Sequence, residues 1–312
     1  MAPAMTTDHS SALRQELLRG VRDNLRDGAS HLARVALDAL KTYAQRAADD
    51  NVEALRASLL VFAADLGETR PSMTAIHNLV ARWQQGVAEF QGDLEGLRDY
   101  AARQAQEVRT WADAATDATV RAALSHIPPG SRVLLHSSSS TVASILERLA
   151  KGSFSAVVTE ARPGLEGWNV AATLASHGIE VTYITDAQAG IFIEAVDMVL
   201  LGADSVLADG TLVNKTGSRL IALAAREAGV PVLVAAESFK CTGLSAQEVE
   251  LEEKSGSELR PPPVPGVRAR NIYFDITPAH LITAYLSDEP IADRFVPASQ
   301  GAVDNSLDLN GA

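Results

Sequence analysis

The chain has 312 residues, 46% of them hydrophobic and 21% charged, long enough for two domains with apolar cores under an ordinary solvated surface. Its formal net charge of −12 argues against a general nucleic-acid or anionic-membrane surface, and its single cysteine, Cys241, excludes an internal disulfide and a thiolate metal cage. The opening MAPAMTTDHSSALRQELL has neither a basic segment nor an apolar core, and no apolar run reaches spanning length, so a reducing cytoplasm is the expected location.

From about Ser11 to Ala123 apolar residues recur at three-to-four spacing among Ala, Arg, Gln and Glu, as in LARVALDALKTYA and VEALRASLLVFAADL. That pattern predicts a helical bundle. Pro71 is read as the first helical position of the amphipathic stretch PSMTAIHNLVARW. The breaker Ile127-Pro128-Pro129-Gly130 ends the pattern and sets a helical domain over 1–127. Short apolar strands then alternate with helices: RVLLH and SILERLA, SAVVTE and NVAATLASHG, EVTYIT and AQAGIFIEA, DMVLLG, LIALAAREAG, and VPVLVAAE. The fold class is therefore α/β, an N-terminal helical bundle followed by a Rossmann-like, doubly wound parallel sheet domain over 131–300, with 301–312 as a flexible tail. The Asp209-Gly210 turn inside SVLADGTLVNK predicts a hairpin, and the stretch from Arg260 to Gly266 a surface loop.

Each predicted strand ends in a polar group: His136-Ser137, Glu160, Asp186, Asp204 and Glu237. In an open parallel sheet these converge on one rim, where ligands bind, although any one of them could equally begin a loop or cap a helix. The first turn, LHSSSST, has no glycine, which argues against a dinucleotide cofactor. Its five hydroxyls, with Ser138 and Ser139 central, fit a phosphate cradle, a nucleophile site or a helix cap. Asn214-Lys215-Thr216-Gly217-Ser218 enters the next helix and is either a phosphate seat or a set of caps, and Arg70, Arg162 and Lys240 are further candidate cations.

GADSVLADGTLVNKTGS, AREAGVPVLVAAESFK, VTEARPGLEGWNVAATLASHGIEVTYITDA and FDITPAHLITAYL, in that combination, resemble the superfamily of the translation initiation factor 2B alpha, beta and delta subunits. That superfamily also holds ribose-1,5-bisphosphate isomerase and methylthioribose-1-phosphate isomerase. The likeness runs from about residue 131 to 287, with a fainter echo at DGASHLARVALDAL and TRPSM. In its isomerases a cysteine and an aspartate form the acid/base pair. The resemblance places that aspartate at Asp204, but the cysteine position reads Ser137, whose hydroxyl needs an adjacent base at neutral pH. His136 is poorly placed to be that base, because successive strand side chains alternate in direction. Arg70, Arg162, Asn214, Lys215 and Lys240 fall on phosphate-contacting positions of the family. Its Arg-Gly-Ala turn reads Asp27-Gly28-Ala29, with Arg26 and His31 as flanking bases, and the basic residue after the serine turn reads Ser140.

Three readings follow, ranked in this order. The first is an initiation-factor-2B-like regulatory protein binding a phosphorylated sugar or nucleotide. The second is an aldose–ketose isomerase of a sugar 1-phosphate acting through Asp204. The third is an assembly subunit with a vestigial pocket. No cofactor, metal, membrane or direct nucleic-acid contact is expected, and the resemblance implies a homodimer or higher homo-oligomer.

Overall fold

In a computed structural model, which describes residues 4–24, 27–149 and 154–295, five helices precede the first strand. They are α1 (Ala4–Arg22), α2 (Ala29–Arg46), α3 (Val52–Gly67), α4 (Thr74–Glu89) and α5 (Leu94–Leu124). In α2 the buried residues Leu32, Ala33, Ala36, Leu37, Leu40 and Tyr43 repeat every three or four positions, one continuous apolar face. Asn51 and Asp93 start α3 and α5 by accepting the Ala54 and Gly96 N–H groups at 2.9 Å each, the capping role of short polar side chains. Pro71 does not begin α4. It lies in a turn in which the Met73 N–H donates to the Arg70 carbonyl at 2.9 Å, and α4 starts at Thr74 because Ser205 Oγ accepts the Thr74 N–H at 3.0 Å.

After Gly130, which is left-handed at φ +86°, come β1 (Ser131–Leu135), α6 (Ser140–Arg148), β2 (Phe154–Thr159), α7 (Glu166–Ser176) and β3 (Glu180–Ile184). The expected helix AQAGIFIEA is only a four-residue α8 (Ala189–Phe192) between two tight 3₁₀ turns. Ala189, Ile193 and Val196 suffice to anchor that segment on the sheet, while Ile191 stays exposed. The chain continues through β4 (Met198–Leu201), β5 (Ser205–Val206), β6 (Leu212–Lys215), α9 (Ser218–Ala228), β7 (Val232–Ala235), β8 (Glu253–Lys254), β9 (Asn271–Ile272), β10 (Phe274–Thr277) and β11 (Ala284–Leu286). The predicted hairpin is β5–β6, turning at Gly210, and Arg260 to Gly266 is an exposed loop. The expected tail at 301–312 lies outside the described residues.

Six parallel strands form the main sheet in the order β11-β7-β4-β1-β2-β3. Strand side chains alternate between two cores: Leu134, Val157, Val199 and Val234 face α8 and α9, whereas Val133, Leu135, Val158 and Leu200 face α6, α7 and the end of α5. Burial on both faces explains why these strands read as unbroken apolar runs. A three-stranded sheet, β10-β6-β5, carries Val213 and Phe274 into the helical core beside Trp83 and Phe62. Helix α5, 31 residues or roughly 46 Å long, spans both regions, with Leu97 to Ala115 in the helical core and Val120 and Ala123 against the sheet. No described helix is long and apolar enough to cross a membrane.

Candidate functional site

Strands β1 and β4 lie side by side at the centre of the main sheet, and the connections leaving them wind in opposite directions. This is the crevice where open parallel sheets bind ligands. Past β1 the backbone reaches Ser137 in the left-handed region, φ +63°, an arrangement costly for a residue with a side chain and frequent at functional turns. Ser139 then caps α6, its Oγ accepting the Val142 N–H at 3.3 Å. Past β4 comes Gly202, where any Cβ would sit 2.5 Å from Ser139 Oγ, so only glycine lets the strand end pass the serine turn and deliver Asp204.

Two small cavities meet at Gly28, Ser137, Ser138 and Asp204. One, of about 20 Å³, is also lined by Ser30, Ser139, Ser140, Asn214 and Lys240; the other, of about 30 Å³, by Asp27, Arg70, Glu166, Lys215 and Tyr273. Each has room for about one or two waters. A larger cleft of about 470 Å³ between α6 and α7 touches this polar site only at Ser138. Leu146, Val170, Leu174 and Ile179 line it, and no described lysine or arginine does, so it offers a phosphate no such cation.

Of the sequence-predicted residues, Arg70, Ser137, Ser138, Ser139, Asp204, Asn214, Lys215 and Lys240 thus come together from the helical region, the main sheet and the hairpin. Arg162 is not among the lining residues; its N–H donates to Asp186 at 2.8 Å and its guanidinium reaches the Leu259 carbonyl at 3.4 Å. Each cation of the group already faces a carboxylate. Arg70 Nε lies 2.9 Å from Glu252, Lys215 Nζ 2.8 Å from Glu166, and Lys240 Nζ 2.9 Å from Glu237. Lys215 also sits 3.9 Å above the Tyr273 ring. An incoming anion must therefore share these cations rather than find them bare.

Asp204 is buried, and burial pushes its carboxyl up to about 6, against the opposing pull of Lys240, Lys215 and Arg70. That value suits a group that both takes and returns a proton near neutrality. His136 cannot serve Ser137. Its Nε2 faces the Thr216 carbonyl at 3.0 Å, so this nitrogen carries the proton, and Nδ1 accepts from Thr159 Oγ1 at 2.7 Å. Burial lowers its pKa and keeps the ring neutral, although the Asp186 carboxylate lies 3.9 Å away.

The helix entry at Asn214-Lys215-Thr216-Gly217-Ser218 divides its work. Asn214 and Lys215 line the cavities, but the N-terminus of α9 is filled by the chain's own carboxylate: Asp275 accepts the Gly217 and Arg219 N–H groups at 2.8 and 3.1 Å. Thr216 is spent on the Ile272 carbonyl at 2.7 Å, and Ser218 on the Lys215 carbonyl at 2.7 Å. At that helix end the chain's own carboxylate thus holds the Gly217 and Arg219 N–H groups that a phosphate would otherwise meet. Of the other strand-end acids, Asp186 holds the Ala161 and Arg162 N–H groups, and Glu237 is sealed inside the protein. Asp27 does line the second cavity; it bonds the Asn24 amide at 2.7 Å and lies 3.7 Å from His31, while Arg26 falls outside the described residues.

Residue-by-residue reading of the sequence missed Glu166 and Glu252, and it named Glu237 as a strand-end acid without its pairing to Lys240. For Glu166 a signal exists in PGLEGW, where an acid opens a helix just beyond a strand end; Gly167 beside it packs so tightly that a Cβ would lie 1.8 Å from the Thr159 carbonyl oxygen.

A sequence profile of the initiation factor 2 subunit family matches residues 25–292. The chain is 34% identical over 269 residues to ribose 1,5-bisphosphate isomerase of Archaeoglobus fulgidus, covering 84% of this chain and 83% of that one. It superposes on translation initiation factor eIF-2B of Pyrococcus horikoshii OT3 with a TM-score of 0.77 and 30% identity, over 88% of this chain and 94% of that one. The 5-methylthioribose 1-phosphate isomerase of the same organism shares the fold, with a TM-score of 0.75 and 23% identity over 88% of this chain and 83% of that one.

Proposed function

The chain belongs to the initiation factor 2 subunit family, and from that premise we propose that it binds a sugar 1-phosphate at the β1/β4 crevice and interconverts the aldose and ketose forms through Asp204. The observation that carries this reading is Asp204 itself, buried at the junction of two polar cavities with its carboxyl raised to about 6. The reaction requires the C2 hydroxyl to lose its proton, the C2 hydrogen to move with its electron pair to C1, and the C1–ring-oxygen bond to break with a proton arriving on that oxygen. One carboxyl near pH 6 can take the first proton and return it in the last step. Ser137 then serves as a hydroxyl held against the sugar rather than as a proton store. The relatives named as isomerases support this order of preference over the regulatory reading that the serine first favours.

A second reading, a sugar-phosphate or nucleotide binder without turnover, is favoured by the missing thiol and by the likeness to translation initiation factor eIF-2B of Pyrococcus horikoshii OT3. Product formation from ribose 1-phosphate and ribose 1,5-bisphosphate, followed by NMR, separates the two. Wild-type turnover is expected, and its absence with both substrates would leave binding as the only activity. Ser137→Cys should raise the rate, because a thiol near pKa 8.5 is far more acidic than a hydroxyl, and the gain should vanish when Asp204→Asn is added.

For assembly we propose a two-fold homodimer through the sheet domain. Trp168, Tyr183, Ile191 and Leu220 are large apolar side chains left exposed on α7, edge strand β3, α8 and α9, which supports a partner there. A mass of 33.0 kDa by light scattering at micromolar concentration would mean a monomer and rule this out.

A further inference from the structure

His136 immediately precedes Ser137, and its side chain has no exposure. The ring joins the ends of three strands. Nε2 donates to the Thr216 carbonyl at 3.0 Å, in the turn that follows Lys215 at the end of β6, and Nδ1 accepts at 2.7 Å from the hydroxyl of Thr159, the last residue of β2. A carbonyl only accepts, so the proton is fixed on Nε2 and Nδ1 is left for the Thr159 hydroxyl. The Asp186 carboxylate stands farther off, 3.9 Å from Nδ1. Gly217, at φ +112°, makes room for the ring, since a Cβ there would lie 2.9 Å from its Cε1 and Nε2 atoms. Opposite the ring, the Thr216 N–H donates to the Tyr273 carbonyl at 3.0 Å, so the turn is clamped from both sides. Ser137 leaves β1 in the main sheet and Lys215 ends β6 in the three-stranded sheet, two strands that share no ladder, yet both residues line the same cavity with Asp204. The His136 ring spans that gap.

We propose that His136 is a positioning residue that sets the separation of the serine turn from Lys215, acting through the Nε2–Thr216 bond. It does not touch the ligand. What it governs is whether one molecule can meet Ser137 with its sugar while its phosphate meets Lys215. This rests on the sugar-phosphate reading of the site. Thr159 plays the supporting part, holding the ring in the tautomer that donates to Thr216.

Phosphorus NMR titration of the full chain tests the proposal with two probes: ribose 1-phosphate, which reaches both Ser137 and Lys215, and inorganic phosphate, which is small enough to meet the cations alone. His136→Phe keeps a ring but makes neither bond; it should weaken ribose 1-phosphate about tenfold, the size of one or two hydrogen bonds at the serine turn, and change inorganic phosphate by less than about twofold. His136→Gln is long enough to donate to the Thr216 carbonyl and should restore ribose 1-phosphate binding to within about threefold of wild type. His136→Asn can meet Thr159 but not Thr216, and should behave like His136→Phe. A merely structural role would move both probes together and would not separate Gln from Asn. If the variants weaken both probes alike or neither, or if Gln and Asn are equivalent, the role of His136 is overturned while the sugar-phosphate site stands. If wild type binds neither probe, the sugar-phosphate reading falls and takes this proposal with it.

Discussion

Asp204→Asn should lower isomerase turnover by about 10²–10⁴-fold, the usual contribution of one general acid–base group, and at the same time make the folded protein more stable at pH 7. The second effect follows from the same burial as the first. An unfolded chain releases this proton near 3.8 and the folded chain near about 6, so the folded state binds the proton more tightly. Stability from this group is complete below about pH 4 and is lost as pH rises through about 6, a difference of roughly 3 kcal/mol by pH 7. An amide carries no such charge, so Asp204→Asn should gain about 1–3 kcal/mol at pH 7 and little at pH 4. Wild-type turnover should rise across pH 6 as the carboxylate forms. Urea denaturation at both pH values, with NMR rates across pH 5–8, gives the answer; a variant that keeps full activity, or is destabilised equally at pH 4 and 7, would remove Asp204 from the chemistry.

Glu237→Ala should have the largest effect on the fold. The Glu237 carboxylate has no exposure and accepts from Ser30 Oγ on α2 at 3.1 Å, Thr116 Oγ1 on α5 at 2.8 Å and Thr141 Oγ1 on α6 at 2.9 Å. Lys240 lies 2.9 Å away. Burial alone would raise the pKa, but the Lys240 ammonium and these hydrogen bonds outweigh it and bring the group down to about 2. Its stabilisation is therefore present above about pH 4.5 and fades as pH falls toward about 2. Removing the carboxylate strands a buried ammonium and the Ser30 and Thr141 hydroxyls, while Thr116 can turn to the Ala112 carbonyl at 3.1 Å, an expected cost of about 3–5 kcal/mol. The melting temperature should drop by roughly 5–8 °C. Replacing both partners, Glu237→Leu with Lys240→Met, should cost less than Glu237→Ala alone, because no unpaired charge remains. A loss under 1 kcal/mol for Glu237→Ala in chemical denaturation would show that this carboxylate does not join the helices to the sheet.

Elements whose burial is local were legible from residues alone. The α2 and α5 repeats announce one-sided helices, and RVLLH, SAVVTE and DMVLLG announce strands covered on both faces. The three-residue β11 escaped notice because AYL has only Leu286 fully buried and no strand pattern of its own; it pairs with β7 once the sheet exists. The start of α4 was misplaced because Ser205, 131 residues away, decides it.

The same division holds at the site. Strand-end positions nominated His136-Ser137, Glu160, Asp186, Asp204 and Glu237 alike, since a parallel sheet necessarily brings the ends of its strands to one rim, and the family resemblance singled out Ser137 and Asp204 among them. By itself the sequence determined the helical half, the doubly wound sheet and the glycine-free serine turn. Only the tertiary structure decided which polar groups are free to act. Asp275, from β10, fills the α9 N-terminus; Glu237 disappears into the join between helices and sheet; Glu252 and Glu166 reach Arg70 and Lys215 from 182 and 49 residues away. Charge pairing in a protein interior depends on distance and desolvation, neither of which is set by neighbours in the chain, so the burial that raises the Asp204 carboxyl and leaves Glu166 one donor short emerges only when the helical region closes over the strand ends.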